Sequence, residues 1–251
     1  MATLVYDGSW PGFLTTVFEV YERKLKEVNI ERADFHQPSL LDQSVTVATD
    51  HIKAERVSAG LRKRTVAGIS NLYAAYLSET GGIENYMLKY IMLVFSVKGN
   101  EQAFADPSVL KIMQVAKMVM RESHRMKAFV RFMQGRDNIY FAAISPDFNV
   151  LPLVVSHFEK RFADQKWVIY DERRRYGIYY DLKEAEEVIF PEGFGFSPKE
   201  STYLLSEGEI AYQSLWKEYY KSTTIVSRLN TRLHLRHVPR RYWKYLTEKY
   251  Q

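Results

Sequence analysis

The sequence predicts an α+β fold: N-terminal helices, a central four-stranded antiparallel sheet made of two hairpins around a helix, and a long basic C-terminal helix. Three observations lead there. The apolar period changes from 3.6 to 2 after Met126; two pairs of alternating segments flank one helical segment; and a capping signal at Ser206 opens a last amphipathic run.

The first hundred residues read mainly as helices. Ser9 is a cap candidate, Pro11 falls in the first turn, and Phe13, Leu14, Val17, Phe18 and Tyr21 form the apolar set that follows. A short β-rich stretch, Ser44 to Ala48, interrupts them. A longer helix is expected from about His51 to Leu77, and Gly81-Gly82 separates it from another carrying Tyr86, Leu88 and Ile91.

Asp106-Pro107 is a helix start, an acid cap with proline at the first helical position, and the periodic run Val109 to Met126 continues it. Lys127 to Met133 then alternates like a strand, Gln134 to Asn138 supplies a turn, and Ile139 to Ile144 returns as its hairpin partner. Pro152 to Ala163 is helical in pattern. Trp167 to Asp171, the charged turn Glu172 to Arg175, and Tyr176 to Tyr180 make the second hairpin, and Glu186-Glu187 read as a solvated helical surface. The stretch Lys183 to Lys199, with Gly193, Gly195 and two prolines, reads as an ordered loop or linker. The organisation expected is one family domain over 1–251, with sub-regions 1–105 mainly helical, 106–190 carrying the sheet, and 191–251 holding linker, basic helix and tail.

Composition narrows the chemistry. Hydrophobic residues make up 46% and charged residues 26% of 251, an ordinary balance for a folded chain. There is no cysteine, which excludes disulfides, thiolate metal sites, iron–sulfur clusters and a Cys nucleophile. The N-terminus lacks a secretory pattern, and the purest apolar run, Tyr90 to Val97, falls far short of the roughly 20 residues that span a bilayer. A cytoplasmic protein with no membrane partner and no cofactor is therefore expected.

The net charge of +5 is unevenly placed. Residues 201–251 hold nine Lys and Arg against four Asp and Glu, while residues 1–200 hold 26 of each sign. Within that last fifth, Ser206-x-x-Glu209 resembles a capping box opening a helix from about Glu207 to His237, stopped by Pro239. Projected at 100° per residue, Lys217, Lys221, Arg228 and Arg232 share an arc of about 60° without an acid. Tyr212, Leu215, Trp216, Tyr219, Val226, Leu229 and Leu233 gather opposite, as a core face would. Lys217 to Arg236 would extend roughly 28 Å, the span of several phosphates. Arg240-Arg241-Tyr242-Trp243-Lys244-Tyr245 then interleaves cations with rings, as a strand-holding platform does. The alternative is that Tyr242 and Trp243 anchor the tail while the arginines stay solvated.

A second cationic stripe, Lys111, Lys117, Arg121, His124 and Arg125, occupies an arc of about 140° on the helix before the sheet, and Arg131 extends it. A solvated face balanced by acids elsewhere would look the same. The turn Glu172-Arg173-Arg174-Arg175 is a solvated hairpin tip or a phosphate clamp. Nucleophile elbows, P-loops, dinucleotide-binding turns and metalloprotease or deaminase signatures are all missing. The remaining acid–base candidates are His124, His157 four residues before Arg161, and Asp171. Both histidines also suit a structural or phosphate-contact role, and Asp171 a turn.

Several of these stretches carry a family resemblance. Tyr6-Asp-Gly-x-x-x-Gly-Phe-Leu-Thr15, Arg121-Glu-Ser-His-Arg-Met-Lys-Ala-Phe-Val-Arg-Phe132, Leu151-Pro-Leu153 with His157, Arg161 and Trp167 to Asp171, and Pro239-Arg-Arg-Tyr-Trp-Lys-Tyr-Leu246 resemble a bacterial family of unknown function described as DNA metabolism proteins. The resemblance runs nearly end to end. It implies a partner, because such proteins are encoded beside a radical SAM protein of DNA modification or repair, and relatives of the domain occur fused to a uracil-DNA glycosylase-like domain. A chain ending at Gln251 is expected to lack that extra domain, and one without cysteine leaves radical chemistry to the partner. The resulting expectation is a nucleic-acid-binding accessory protein, with DNA as the polyanion. Its contacts would be Lys217, Lys221, Arg228, Arg232, Arg236, Arg240, Arg241 and Trp243, joined by Arg121, His124, Arg125, Arg131, His157 and Arg161. Two competitors are an enzyme in which His124, His157 and Asp171 converge, and a scaffold whose basic face docks an acidic protein.

Overall fold

The computed structural model describes residues 2–37, 44–96, 103–191 and 205–249. The chain divides into two compact units, Met1–Met120 and Arg121–Gln251.

The first unit is mainly helical, as expected, but it also holds a three-stranded parallel sheet that the periodicity did not show. Its strands are β1 (Ala2–Tyr6), β2 (Val28–Arg32) and β3 (Ser44–Thr46), in the order β2-β1-β3. Four consecutive residues of β1 are buried, so it has no polar face and no alternation to betray it. Helix α1 (Trp10–Glu22) starts where Ser9 accepts from the Gly12 amide at 3.0 Å, with Pro11 in the first turn. The single helix expected from His51 to Leu77 is instead α2 (His51–Arg64) and α3 (Val66–Tyr76), broken at Thr65. Thr65 is extended and its hydroxyl caps the Gly68 amide at 3.0 Å, an N-cap inside what periodicity reads as one helix. Helix α4 (Ile83–Ser96) follows Gly81-Gly82, where Gly82 takes the left-handed φ of +73° that its lack of a side chain permits. Leu4, Phe13, Val17, Leu61, Leu72 and Met87 form the core of this unit. Helix α5 (Pro107–Phe129) starts as expected, with Asp106 accepting from the Ser108 amide at 2.7 Å.

The second unit holds a five-stranded mixed sheet in place of the expected four-stranded antiparallel one. Its strands are β4 (Met133–Gln134), β5 (Tyr140–Ile144), β6 (Trp167–Asp171), β7 (Tyr176–Tyr180) and β8 (Ala185–Ile189), in sequence order across the sheet. Both hairpins form, but the first is short: Lys127 to Met133 does not become a strand, because α5 continues to Phe129 and Val130 still donates to Met126 O. Met126, Phe129 and Met133 also fit spacings of three and four, so the alternation there had a helical reading. Helix α6 (Leu151–Arg161) crosses over between β5 and β6 and makes them parallel. Glu186 and Glu187 lie exposed on β8, an edge strand, where a helix surface was expected. Opposite β8, Gly177 has no room for a side chain: a Cβ there would meet Ile169 O at 2.8 Å and the Phe190 ring at 3.0 Å.

The long C-terminal helix is also corrected. It is α7 (Glu207–Thr223), a 3₁₀ turn Val226–Arg228, and α8 (Thr231–His237), followed by 3₁₀ turns Arg240–Tyr245 and Thr247–Lys249. The cause is legible locally. Thr223 to Val226 is a run of four β-branched residues, and Asn230 caps the next segment by accepting from the Leu233 amide at 2.9 Å. Ser206 caps α7 at the Glu209 amide, but Glu209 does not reach back to close the box: its carboxylate accepts from the Gln134 amide at 3.1 Å, tying α7 to β4. The stretch 192–199 of the expected linker lies outside the described residues.

Candidate nucleic-acid interface

A break at Thr224 ends the 100° projection there, so Lys217 and Lys221 lie on α7, Arg228 in the 3₁₀ turn, and Arg232 and Arg236 on α8. The apolar side expected to be core is exposed, with Tyr212 67%, Leu215 60%, Trp216 41%, Tyr219 59% and Leu229 64% accessible. Tyr212, Trp216 and Tyr219 line an open groove of about 760 Å³ with Arg131 and Phe132.

The basic residues have two fates. Arg241, Arg131 and Arg125, named as polyanion contacts, are matched to carboxylates. Glu122, 2% exposed, accepts from Arg241 Nη2 at 2.9 Å, from the Asp147 amide at 3.1 Å and from the hydroxyl of Tyr242, and Arg125 lies at 3.7 Å. Arg241 Nη1 also meets the Asp147 carboxylate at 2.7 Å. Arg131 is paired with Glu248 at 2.9 Å, and Glu248 takes a second bond from Trp216 Nε1 at 3.0 Å. Burial alone would raise the Glu248 carboxyl, but the Arg131 and Trp216 bonds outweigh it and hold the group below the ordinary glutamate range. Lys244 and the Tyr245 hydroxyl both reach Glu172. Tyr242 and Tyr245, both buried, thus bolt the tail to α5 and to the β6–β7 turn; of the two rings in the anchoring alternative Tyr242 is buried and Trp243 half-buried, and Arg241 is paired rather than solvated.

The other fate is exposure. Among the described residues Lys221, Arg228, Arg232, Arg236 and Arg240 are exposed and meet no carboxylate. One of them, Arg228, lines a cavity of about 530 Å³ formed by the end of α7, the 3₁₀ turn, α8 and the tail. Tyr220, Arg228, His234, His237, Trp243 and Lys249 line it, with Leu229 and Leu233, and no described lining residue is an Asp or Glu. Trp243 is held at its edge, its Nε1 donating to Val238 O at 3.0 Å, and its ring is only partly covered. Arg240 lies 5.9 Å and Lys249 5.4 Å from that ring's centroid. Lys249 also donates to the Tyr220 hydroxyl at 2.9 Å. His234 has a buried Nε2 with no hydrogen-bond partner; burial, then the neighbouring Lys249, holds its ring below the ordinary imidazole range.

The second stripe does not join this cavity. Arg121 and His124 are exposed on α5, Arg161 is exposed at the end of α6 with its guanidinium over the Phe162 ring, and His157 packs edge-on against Phe158. Burial, then Lys127 and Arg161, lowers the His157 ring below its usual range. Among the described residues His124, His157 and Asp171 share no hydrogen bond or ion pair. Asp171 is fully buried and spends its oxygens on the Arg173 and Arg174 amides and on Arg174 Nη1 at 2.9 Å. Burial raises its pKa against the pull of Arg174. Two of the tip's three arginines are engaged locally, since Arg173 and Arg174 also donate to Asp147 O, while Arg175 is exposed.

Sequence reasoning found Arg228, Arg240 and Trp243 but missed Tyr220, His234, His237 and Lys249, which reach the cavity only because the last helix breaks. It also gave no role to Glu122, whose one signal is being the single acid between Lys111 and Arg131. Among the described residues no cluster of His, Asp and Glu could hold a metal ion, and no helix is long and apolar enough to cross a membrane. No curated protein and no solved structure matches the chain. Residues 81–248, which include every described residue lining the cavity except Lys249, match the model of DUF4130, a domain of unknown function, and the chain belongs to that family.

Proposed function

We propose that the protein is a nucleic-acid-binding accessory factor of DNA repair or modification, holding the polyanion through the exposed cations of its C-terminal segment and serving a radical SAM partner. The observation that carries the binding reading is the cavity lined by Arg228, Lys249, His234, His237 and Trp243 without a described carboxylate. Exposed cations beside acids are partly neutralised, whereas Lys221, Arg228, Arg232, Arg236 and Arg240 keep their full attraction for phosphate. The accessory role rests on the family resemblance and on the absence of cysteine for an iron–sulfur cluster.

Fluorescence anisotropy of a labelled DNA oligonucleotide at several salt concentrations tests it. Affinity is expected to fall linearly in a log–log plot as phosphates release counterions. Absent or salt-independent binding rejects it.

A further inference from the structure

Resting on that reading, we infer that the cavity beside Trp243 receives one unpaired nucleotide, so that the protein grips single-stranded or locally opened nucleic acid in preference to closed duplex. Two cations, Arg228 and Lys249, line a concavity that also holds an aromatic ring. Its volume of about 530 Å³ falls within the roughly 300–1,000 Å³ of small-ligand pockets. A ring stands inside it, edge-fixed by the bond to Val238 O and open on part of its surface, as a base-stacking platform requires. Arg228 and Lys249 supply phosphate contacts at the rim, and Leu229 and Leu233 give apolar wall for the base and sugar.

A base inside a duplex has both faces stacked and its pairing edge occupied, so only an unpaired one can lie on Trp243. A free nucleotide would satisfy the cavity as well. The outward cations favour a strand: Arg232 and Arg236 are carried by α8 and Arg240 lies over Trp243, more charge than one phosphate needs.

The test compares one fluorescein-labelled DNA sequence as single strand and as blunt duplex, with a nucleoside monophosphate as competitor, on wild type, Trp243→Ala and Trp243→Phe. Tighter binding of the single strand is expected, with a loss of roughly five- to 150-fold for Trp243→Ala on that substrate. Trp243→Phe is expected to retain most of the affinity, and duplex binding to change less than about twofold. If single strand and duplex bind alike and Trp243→Ala affects neither selectively, the unpaired-nucleotide inference is overturned while polyanion binding stands. If the monophosphate binds as tightly as the strand, the strand is overturned as the ligand. Binding of neither nucleic acid overturns the underlying reading. Thermal melting of Trp243→Ala separates lost contact from lost fold: an unchanged affinity in a folded variant counts against the inference, and the wild type's preference between single strand and duplex decides the matter if Trp243→Ala does not fold.

Discussion

Around Glu122, Glu172 and Glu248, basic and hydroxyl side chains end on buried or half-buried carboxylates; around Trp243, Arg228 and Lys249 the same residue types end on rings or on solvent. Both regions draw on one run of sequence, and Arg240 and Arg241 are neighbours in it. Arg240 faces an indole while Arg241 closes on Glu122 and Asp147. The difference teaches that a positive surplus counts for recognition only after the cations that hold the fold have been subtracted. In the tail the charge is structural, and in the cavity it is available.

The comparison breaks first at Glu122. Replacing it by alanine leaves the Tyr242 hydroxyl buried without its acceptor and frees Arg241, which is 41% exposed along its side chain and can resolvate. Glu122→Ala is expected to cost about 2–3 kcal/mol, less than the roughly 3–5 kcal/mol of breaking a fully buried pair, because Arg241 is partly in solvent. Urea unfolding measures this; a loss under about 0.5 kcal/mol would mean that the tail is held by packing alone. Tyr245→Phe removes one buried hydroxyl bond to Glu172 and should cost about 1 kcal/mol by the same measurement, with oligonucleotide affinity unchanged. Glu248 sharpens the contrast through pH. Its folded-state pKa is depressed, so its contribution is present above the ordinary value of 4.5 and is lost as pH falls through the lower, folded one. The stability gap between wild type and Glu248→Gln should therefore be widest near neutrality and shrink below about pH 4.5; a gap independent of pH contradicts the pairing with Arg131. Lys244→Met gives the smallest effect, within about 0.5 kcal/mol, because that side chain is mostly in solvent.

Much of this architecture was legible in the residues. Ser9, Asp106 and Ser206 capped the helices they were expected to cap, and the tip at Glu172 to Arg175 joined its hairpin. Of the first unit's sheet only β3 was legible, in the β-rich stretch from Ser44; β1 is buried along nearly all its length and shows no alternation. The parallel pairing of β5 and β6 follows from the α6 crossover, which a strand pattern alone does not orient. At the candidate site, the surplus charge and Trp243 were visible, but the cavity was hidden by treating Glu207 to His237 as one helix. Four β-branched residues and the Asn230 cap were in plain view, and weighing them would have broken that helix and brought Lys249 and Tyr220 into the same neighbourhood.

The division between structural and available cations is tested most directly by comparing salt slopes of DNA binding. Arg228→Ala and Lys249→Ala are each expected to lower the log–log slope by about one, while Lys244→Met and Arg131→Met, whose wild-type charges are matched to Glu172 and Glu248, should leave it unchanged. Equal slope losses in both pairs, or losses confined to the carboxylate-matched pair, would contradict the account.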